Sequence, residues 1–273
     1  MAPVKSRAIV LRTHRLRETS GVIVCYTEAY GKVRLVAKGV RKGGGRLGAA
    51  LEPFVVSGVV FYLRDGRDLS LVSNAEIMRE FPSLRRDPLR MGYAAVALEL
   101  VERLVPDRDP DAALFALLEK ALGDIDGAPG GRLDPILWDF ELAVAERLGY
   151  EPVLAPCTLC GEPGRPDAGF APSVGGVVCV ECARARSVPS LARGPAAGLL
   201  LRFARDRKSG RLSLWDLPPE AIDPELGYEV AELLRRHLEA HSDRRLRLNS
   251  MSYLAQMKRL DPAGQEPGRH DEE

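Results

Sequence analysis

Short apolar runs with strand-like spacing fill the first part of the chain. They cover five segments, at residues 5–12, 22–26, 32–37, 54–63 and 69–72. Alternation with a period of two residues, and short runs rich in Val, Ile, Tyr and Phe, are typical of β-strands. Five short strands predict a small barrel. The count fits a Greek-key OB barrel, and periodicity alone leaves an SH3-like barrel open.

From Phe81 onward the apolar positions recur with the spacing of a helix, and aspartate–proline pairs mark where helices begin. Such pairs stand at 87–88, 109–110, 134–135 and 223–224. Aspartate caps the free amides of a first helical turn, and proline suits the first helical position because it has no amide to leave unsatisfied. Their apolar stripes indicate one helical bundle. The predicted helices cover residues 88–105, 110–122, 135–148, 195–208 and 224–241.

These patterns predict a multidomain α+β chain. An N-terminal OB-fold β-barrel occupies residues 1–82, a helical bundle occupies 83–153 and 184–255, and a four-cysteine zinc-finger module at 154–183 is inserted in the bundle. Residues 256–273 contain several Pro and Gly residues and end in acidic residues, so we expect them to form a disordered C-terminal tail.

Four of the five cysteines form two C-x-x-C pairs, Cys157 with Cys160 and Cys179 with Cys182, separated by eighteen residues. Two such pairs at this separation are typical of a four-thiolate zinc site. Disulfides are the competing interpretation, but a cytoplasmic chain keeps its thiols reduced. We therefore predict a structural Zn²⁺. The fifth cysteine, Cys25, lies within a strand and is predicted to be a core residue.

A catalytic metal is disfavoured. Nucleobase deaminases carry an H-x-E motif upstream of their cysteines, whereas the upstream His14 is followed here by Arg15 and Leu16. Four thiolates also fill the zinc tetrahedron and leave no position for water. His237 and His241 have helical i, i+4 spacing without an H-E-x-x-H motif, so we interpret them as surface or bundle-edge histidines. No catalytic residue is predicted.

The segment from Gly31 to Gly48 holds six Lys and Arg residues and no acidic residue. Three consecutive glycines within it allow the backbone to approach a ligand closely. An uncancelled positive field suits a phosphate backbone, although a solvated basic hairpin is the ordinary alternative. The predicted nucleic-acid-binding residues are Lys32, Arg34, Lys38, Arg41, Lys42 and Arg46, helped by Arg12, Arg15 and Arg17.

The charge of the chain is unevenly distributed. Its 273 residues carry a net charge of +1. Residues 1–50 contain eleven Lys and Arg and two Glu, a net charge of +9, so residues 51–273 carry a net charge of −8. Such asymmetry indicates contact with nucleic acid or a membrane. A membrane partner is disfavoured because no basic amphipathic helix and no apolar run of spanning length accompany the charge. Without a secretory signal, a cytoplasmic protein is expected.

Taken together, these segments are similar to the RecO family of bacterial recombination mediators. The resemblance covers the chain to about Met251. Two departures, ETSGVIV before the second strand and the GGG loop, bear on the local DNA-binding surface. The resemblance is carried by the K-G-V-R-K and L-E-P-F steps, the four paired cysteines, and the stretches VKSRAIVLRT, YTEAYGKVRLVAKGVRK, LEPFVVSGVVFY, EIMREFPSLRRDPLRMGYAAVALELVERLVP and LLRRHLEAH.

The resemblance implies an OB domain, a helical bundle and a zinc module inserted within it. It also implies a role in DNA repair and homologous recombination for a non-enzymatic, nucleoid-associated bacterial protein. Members of this family bind ssDNA and dsDNA and anneal complementary strands coated with single-strand DNA-binding protein (SSB). The expected protein partners are the C-terminal tail of SSB, RecR and, indirectly, RecA. Neither a membrane nor a small-molecule substrate is expected.

Two other functional classes stay open from the sequence. One is a transcription or translation factor that combines a barrel with a zinc ribbon. The other is a nucleic-acid-modifying enzyme with an OB targeting domain, which the lack of a carboxylate cluster or an open zinc site disfavours. Tyr26 and Tyr30 are candidates for stacking on bases, although both can simply flank a strand.

Overall fold

The computed structural model describes the following residues: 2–16, 20–38, 40, 45–63, 68–129, 132–163, 168–189, 191–210, 222–242 and 246–260. Its contacts divide the chain into two compact units. Unit 1 comprises Met1–Gly127 with Leu248–Glu273, and unit 2 comprises Ala128–Arg247.

Unit 1 contains a closed five-stranded barrel. Its strands are β1 (Pro3–Arg15), β2 (Gly21–Thr27), β3 (Gly31–Ala37), β4 (Val55–Tyr62) and β5 (Leu69–Glu80). They pair in the order β1-β2-β3-β5-β4, and β4 pairs back on β1. Neighbours are antiparallel except β3 and β5, which run parallel. The predicted N-terminal OB-like β-structure is confirmed, with β5 longer than predicted because it stays paired with β4 as far as Glu80.

Alternation along the strands sorts the barrel residues into core and outer positions. Ile23 and Cys25 of β2 share the barrel core with Leu35 of β3 and Phe61 of β4. Cys25 is fully buried, which confirms its predicted core role, and burial raises the pKa of its thiol to about 12. The neutral thiol therefore acts as a small apolar side chain.

The helices fall in both units. Among the described helices, five belong to unit 1, at residues 46–127 and 249–260, and four belong to unit 2, at residues 133–241. Unit 2 also contains the short hairpin of β6 (Gly169–Ala171) and β7 (Gly176–Val178), joined by a 3-10 turn at Pro172–Val174. The helix bounds are α1 (Arg46–Ala50), α2 (Pro82–Arg86), α3 (Pro88–Leu104), α4 (Ala112–Gly127), α5 (Leu133–Arg147), α6 (Val180–Ala185), α7 (Pro195–Lys208), α8 (Pro224–His241) and α9 (Asn249–Leu260).

Two of the four predicted aspartate caps are confirmed. Asp87 and Asp223 each accept hydrogen bonds from two backbone amides of the first turns of α3 and α8. The prediction for α4 is wrong by two residues, because Asp111, not Asp109, accepts from its first amides. Asp134 lies inside the first turn of α5 instead of before it.

Helices α3 and α4 cover part of the outer face of the barrel. Tyr26 of β2 is fully buried there; its ring centroid lies 6.5 Å from that of Phe115 of α4, and its hydroxyl lies 3.4 Å from the carbonyl oxygen of Asp111. Tyr26 is thus a packing residue, and the suggestion that it stacks on bases is wrong. Tyr30 is half-buried and meets the edge of Phe61 in the barrel core.

The core of unit 2 is built around Trp138 of α5. This side chain is fully buried, and its ring lies 5.6 Å from that of Phe203 of α7 in an edge-to-face arrangement. Leu200 of α7 and Leu234 of α8 pack in the same cluster. The three helices α5, α7 and α8 therefore share one apolar core.

The C-terminal helix α9 packs on α3 within unit 1. Leu254 of α9 lies so close to Gly92 of α3 that a Cβ at position 92 would stand 3.1 Å from its side chain. Because α9 runs to Leu260, residues 256–260, which the sequence assigned to the tail, are helical. Residues 261–273 lie outside the described part of the chain. Among the helices of the described residues, none is long and apolar enough to cross a membrane.

Candidate metal centre and nucleic-acid interface

The first cysteine pair lies in a tight turn. The amide of Gly161 donates to the carbonyl of Cys157 (2.9 Å), and the amide of Cys157 donates to the carbonyl of Glu162 (2.9 Å). Gly161 has φ of +75°, a conformation that side chains with a Cβ rarely adopt. The turn brings Cys160 back toward Cys157, which is the geometry that a C-x-x-C zinc knuckle requires.

The second cysteine pair stands at the start of α6. The sulfur of Cys179, the N-cap residue, accepts from the amide of Cys182 at 3.5 Å. The β6–β7 hairpin places this pair beside the first, because the amide of Thr158 donates to the carbonyl of Val177 at 2.8 Å. The amide of Cys179 also points at the sulfur of Cys157 at 3.4 Å.

The four thiols converge on one point. Their Sγ atoms all lie within 4.8 Å of one another, and Cys160 and Cys179 are 4.0 Å apart. Four sulfurs at about 2.3 Å from a tetrahedral zinc ion would lie about 3.8 Å apart, so the cluster is the right size for the ion. Two of the four residues, Cys157 and Cys179, are buried.

The protonation of these thiols also fits a cation at their centre. Burial alone would raise the pKa of Cys157, but amides of Cys179, Cys160 and Leu159 directed at its sulfur outweigh burial and lower the pKa to about 6. Hydrogen bonding to the sulfur of Cys179, and then to that of Cys160, raises the pKa of Cys182 to about 12. One thiol ionises readily while another holds its proton, so full deprotonation calls for a positive ion between them.

The module has a small apolar core besides the cysteines. Ala171 and Val178 are buried with Cys157 and Cys179, and half-buried apolar residues pack around them. From the sequence we expect almost no apolar core in this segment, and that expectation is wrong, because the core is assembled from short segments that have no periodic signal. Side-chain packing therefore adds to whatever a metal contributes to order here.

The two histidines of α8 lie apart from the thiols. Nε2 of His237 is 2.6 Å from the carbonyl oxygen of Tyr150, and Nε2 of His241 is 3.0 Å from that of Pro172. His237 is buried, so of the two predicted positions, surface or bundle edge, the surface position is wrong for this residue. Burial lowers the pKa of His237, and the neutral ring that results can donate to Tyr150 through Nε2.

Three of the predicted nucleic-acid-binding residues lie around one end of the barrel and are exposed: Arg15, Lys38 and Arg46, called here the barrel-end set. The strand register aligns Arg15 with Gly21 and Gly21 with Ala37, so Arg15 and Lys38 occupy the same end. Val40 approaches both Gly21 and Gly48, which brings α1 and Arg46 to that end as well. Among the described residues, no carboxylate forms an ion pair with this set.

Two further predicted residues have partly exposed side chains that are already paired. Arg12 lies 3.7 Å from a carboxylate oxygen of Glu102, and Arg34 lies 2.7 Å from one of Asp107. These acids follow the arginines by some ninety and seventy residues, so the charge pattern of the N-terminal segment could not reveal them. Phosphate contact by either arginine competes with its carboxylate.

Lys32 has a structural position. Its side chain is only 3% exposed, and Nζ donates to the carbonyls of Glu102 and Val105 at 2.6 Å each and lies 3.3 Å from Asp107. Those carbonyls belong to the C-terminal end of α3, where the helix leaves acceptors unpaired and its dipole favours a cation. The expectation that Lys32 is a surface phosphate contact is therefore wrong.

Three of the predicted contacts belong to other parts of the chain. Arg17, Arg41 and Lys42 lie outside the described residues, as do two of the three consecutive glycines. The structure thus assigns a position to six of the nine predicted residues, of which three are exposed without a described partner, two are paired and one is buried.

Two family models together cover most of the chain. The family described as Recombination protein O N terminal matches residues 1–81, and the family described as Recombination protein O C terminal matches residues 85–250. A protein of Geobacter metallireducens named DNA repair protein RecO is 34% identical over 264 residues, covering 94% of this chain and 99% of its own length.

Other relatives carry the same name. One from Exiguobacterium is 33% identical over 258 residues, covering 94% of this chain and 97% of its own length. Another, from Cutibacterium acnes, is 37% identical over 187 residues, covering 67% of this chain and 75% of its own length. The chain belongs to the RecO family of DNA repair proteins.

Proposed function

We propose that this protein is a recombination mediator that holds ssDNA and dsDNA at the barrel end and anneals complementary strands. The observation that carries the proposal is the barrel-end set, Arg15, Lys38 and Arg46, which is exposed without a described acidic partner. Family membership supports the DNA target. Arg41 and Lys42 stand between Lys38 and Arg46 in the sequence and are proposed to contact phosphates as well.

Annealing by such a surface requires no covalent chemistry. Two DNA strands repel one another, and each Lys or Arg that neutralises a phosphate releases a condensed counterion. Holding both strands against cations lowers their repulsion, and base pairing then supplies the free energy. The proposed function is therefore binding without catalysis, and little sequence preference is expected because phosphate contacts carry no sequence information.

The cysteine cluster is proposed to hold a structural Zn²⁺. Cys157, Cys160, Cys179 and Cys182 would supply its ligands, and the ion would neutralise their thiolates and cross-link the two turns. Four sulfur ligands satisfy the tetrahedral preference of zinc, so the ion's role is to order the module that precedes α7.

In the cell, the protein is proposed to act in the bacterial cytoplasm with the nucleoid. Its proposed partners are RecR and the C-terminal tail of SSB, through which it helps to load RecA at SSB-coated gaps. These partners follow from the resemblance to the family and extend the DNA-binding proposal.

Annealing of complementary oligonucleotides pre-coated with SSB tests this function. We expect the wild-type chain to accelerate duplex formation and the charge reversal Arg15→Glu/Lys38→Glu to abolish the acceleration. The control Lys5→Glu/Lys120→Glu reverses two exposed lysines of unit 1 outside the barrel-end set and should anneal normally. Equal rates for the two variants, or a covalent change in the labelled strands, would refute the proposal.

A further inference from the structure

A second basic region lies in unit 2, far along the sequence from the barrel strands. Residues 176–210 contain seven Lys and Arg against two acidic residues, Glu181 and Asp206, a net charge of +5. Residues 51–273 together carry a net charge of −8, so the positive charge of residues 176–210 is a local excess. The net charge of the whole chain does not reveal it. The function proposed for the barrel end makes no use of it.

Helix α7 separates its apolar and basic residues onto different faces. One face is buried in the core of unit 2 through Ala197, Leu200 and Phe203. Arg202 and Arg205 are exposed and stand one turn apart. Nothing lies within 4 Å of a Cβ built at Gly198, one turn before Arg202, so this stripe of the helix is open.

The cations at the end of α7 differ in their partners. Arg207 donates to Asp139 at 2.7 Å and to Glu146 at 3.0 Å, and Lys208 donates to Glu151 at 2.6 Å. In contrast, no carboxylate among the described residues pairs with Arg202 or Arg205. The same holds for three other exposed arginines of this region, Arg184, Arg186 and Arg193.

A groove adjoins the open arginines. Arg205, Lys208 and Ser209 line one side and Glu151 to Ala155 the other, around a cavity of about 440 Å³. The second side presents apolar residues, including Val153, which is 39% exposed. Its backbone is fixed by pairing of Val153 with residues 175 and 177 of the hairpin segment. Glu151 balances the charge of Lys208, so Arg205 is the lining cation with no carboxylate partner among the described residues. Its position beside a fixed apolar wall suits a ligand with both charge and flat apolar surface.

We infer that the exposed stripe of α7 and this groove form a second nucleic-acid-binding surface, which takes a single strand independently of the barrel end. The 14-residue helix is about 21 Å long. At about 3.4 Å per phosphate, one strand presents about six phosphates over that length. Guanidinium groups match phosphate oxygens in a bidentate manner. Every cation of this surface that has no carboxylate partner within the described residues is an arginine.

The consequence is a chain that holds two strands at once, one in each unit. An acidic protein segment is the competing ligand for the same cations. A nucleic-acid strand is favoured because its charge repeats along a line and its bases supply flat apolar faces for the wall at Pro152 to Leu154. Two separate strand-binding surfaces would let a single protein molecule present both partners of an annealing reaction.

Strand stoichiometry tests the inference. Native mass spectrometry of the full chain with oligothymidine of about ten nucleotides, near the site size of one OB barrel, should show two strands per wild-type molecule. Arg202→Glu/Arg205→Glu should bind one, Arg15→Glu/Lys38→Glu should bind one, and the combined variant none. Lys5→Glu/Lys120→Glu and the charge-keeping Arg202→Lys/Arg205→Lys should both still bind two.

The outcomes separate this surface from the barrel end. Two strands bound by Arg202→Glu/Arg205→Glu, or one strand bound by the wild type, would overturn the inference. Tighter binding of an oligoglutamate peptide than of oligothymidine to Arg15→Glu/Lys38→Glu would also overturn it and assign the groove to an acidic protein. If Arg15→Glu/Lys38→Glu still binds two strands while Arg202→Glu/Arg205→Glu binds one, the barrel-end proposal is contradicted and the α7 surface is supported. Thermal unfolding of each variant confirms that it is folded.

Discussion

Lys32 and Lys38 lie at the two ends of β3 and have opposite environments. The ammonium of Lys32 is buried against two carbonyls at the end of α3, and its cost of desolvation is offset by those acceptors and by Asp107. Lys38 is exposed, and no carboxylate in the described part of the chain pairs with it. One lysine therefore stabilises unit 1, and the other is available to a ligand.

Substitution of each lysine by methionine separates these roles. Lys32→Met leaves two buried carbonyls without a charged donor, so we expect the free energy of unfolding to fall by about 2 kcal/mol. Lys38→Met should change it by less than about 0.5 kcal/mol but weaken DNA binding. Urea unfolding and oligonucleotide titration of both variants measure the two effects. A stable Lys32→Met protein with weakened DNA binding would contradict the structural role.

Residue-level prediction from the sequence depended on whether the partners are local. The core position of Cys25 followed from its place within a short apolar strand run, which is a property of neighbouring residues. The burial of Lys32 could not be foreseen, because the carbonyls it binds come from a helix about seventy residues later. In the same way, the acids that pair with Arg12 and Arg34 are visible only once the chain has folded.

His237 should make stability depend on pH. Burial holds its pKa in the folded protein below the usual value of about 6.5, so the unfolded chain binds the proton more readily. Stability from the neutral ring is complete above about pH 6.5 and is lost as the pH falls toward the folded pKa. We expect His237→Gln to flatten the decline in unfolding free energy below neutral pH.

The matched control for this pH dependence is the exposed His14. The variant His14→Gln should keep the wild-type pH profile between pH 7 and 5 in urea unfolding experiments. A profile for His237→Gln that is as steep as that of the wild type would show that another group carries the dependence.

At the scale of elements, the helix caps give a stability test. Asp87 accepts hydrogen bonds from the amides of Leu89 and Arg90, whereas Asp109 has no such role in α4, which Asp111 caps. Asp87→Ala should lower the free energy of unfolding by about 1 kcal/mol, and Asp109→Ala by appreciably less. Equal losses in denaturant unfolding would contradict the assignment of the cap.

The cysteine module is tested by removing one ligand. Cys157→Ser should abolish stoichiometric zinc binding and lower the melting temperature, because in model fingers metal binding supplies on the order of 10 kcal/mol of folding free energy. Cys25→Ala, a change at the buried cysteine outside the cluster, should keep the metal. Atomic absorption and thermal unfolding provide the measurements. Full metal content in Cys157→Ser would exclude the four-thiolate site.

Elements were predictable where local signals were unambiguous. The five strands followed from alternation and from short apolar runs, and the starts of α3 and α8 followed from Asp87 and Asp223, each directly before proline. The same dipeptide misplaced the start of α4, because two aspartates stand near it and only the folded backbone selects Asp111. The spacing of the cysteines predicted their convergence, but the apolar core around them has no periodic signal.

At the scale of the whole molecule, the near-neutral total charge conceals two basic surfaces. The barrel-end set belongs to unit 1, and the open arginines of α7 belong to unit 2. The net charge of residues 1–50 indicated the first surface. The negative net charge of the remaining residues gave no indication of the second. Both basic surfaces can be identified by summing the charge over short sequence windows and then leaving out the cations that form ion pairs in the structure.

The central claim is that the barrel end binds DNA through cations that have no carboxylate partner in the described part of the chain. Its most direct test is the salt dependence of oligothymidine binding. Each phosphate contact on a single strand contributes about 0.7 to the slope of log K against log salt. For Arg15→Glu/Lys38→Glu the slope should be shallower than that of the wild type by about 1.4 or more. Lys5→Glu/Lys120→Glu should keep the wild-type slope. Coincident lines for the wild type and Arg15→Glu/Lys38→Glu would contradict the account.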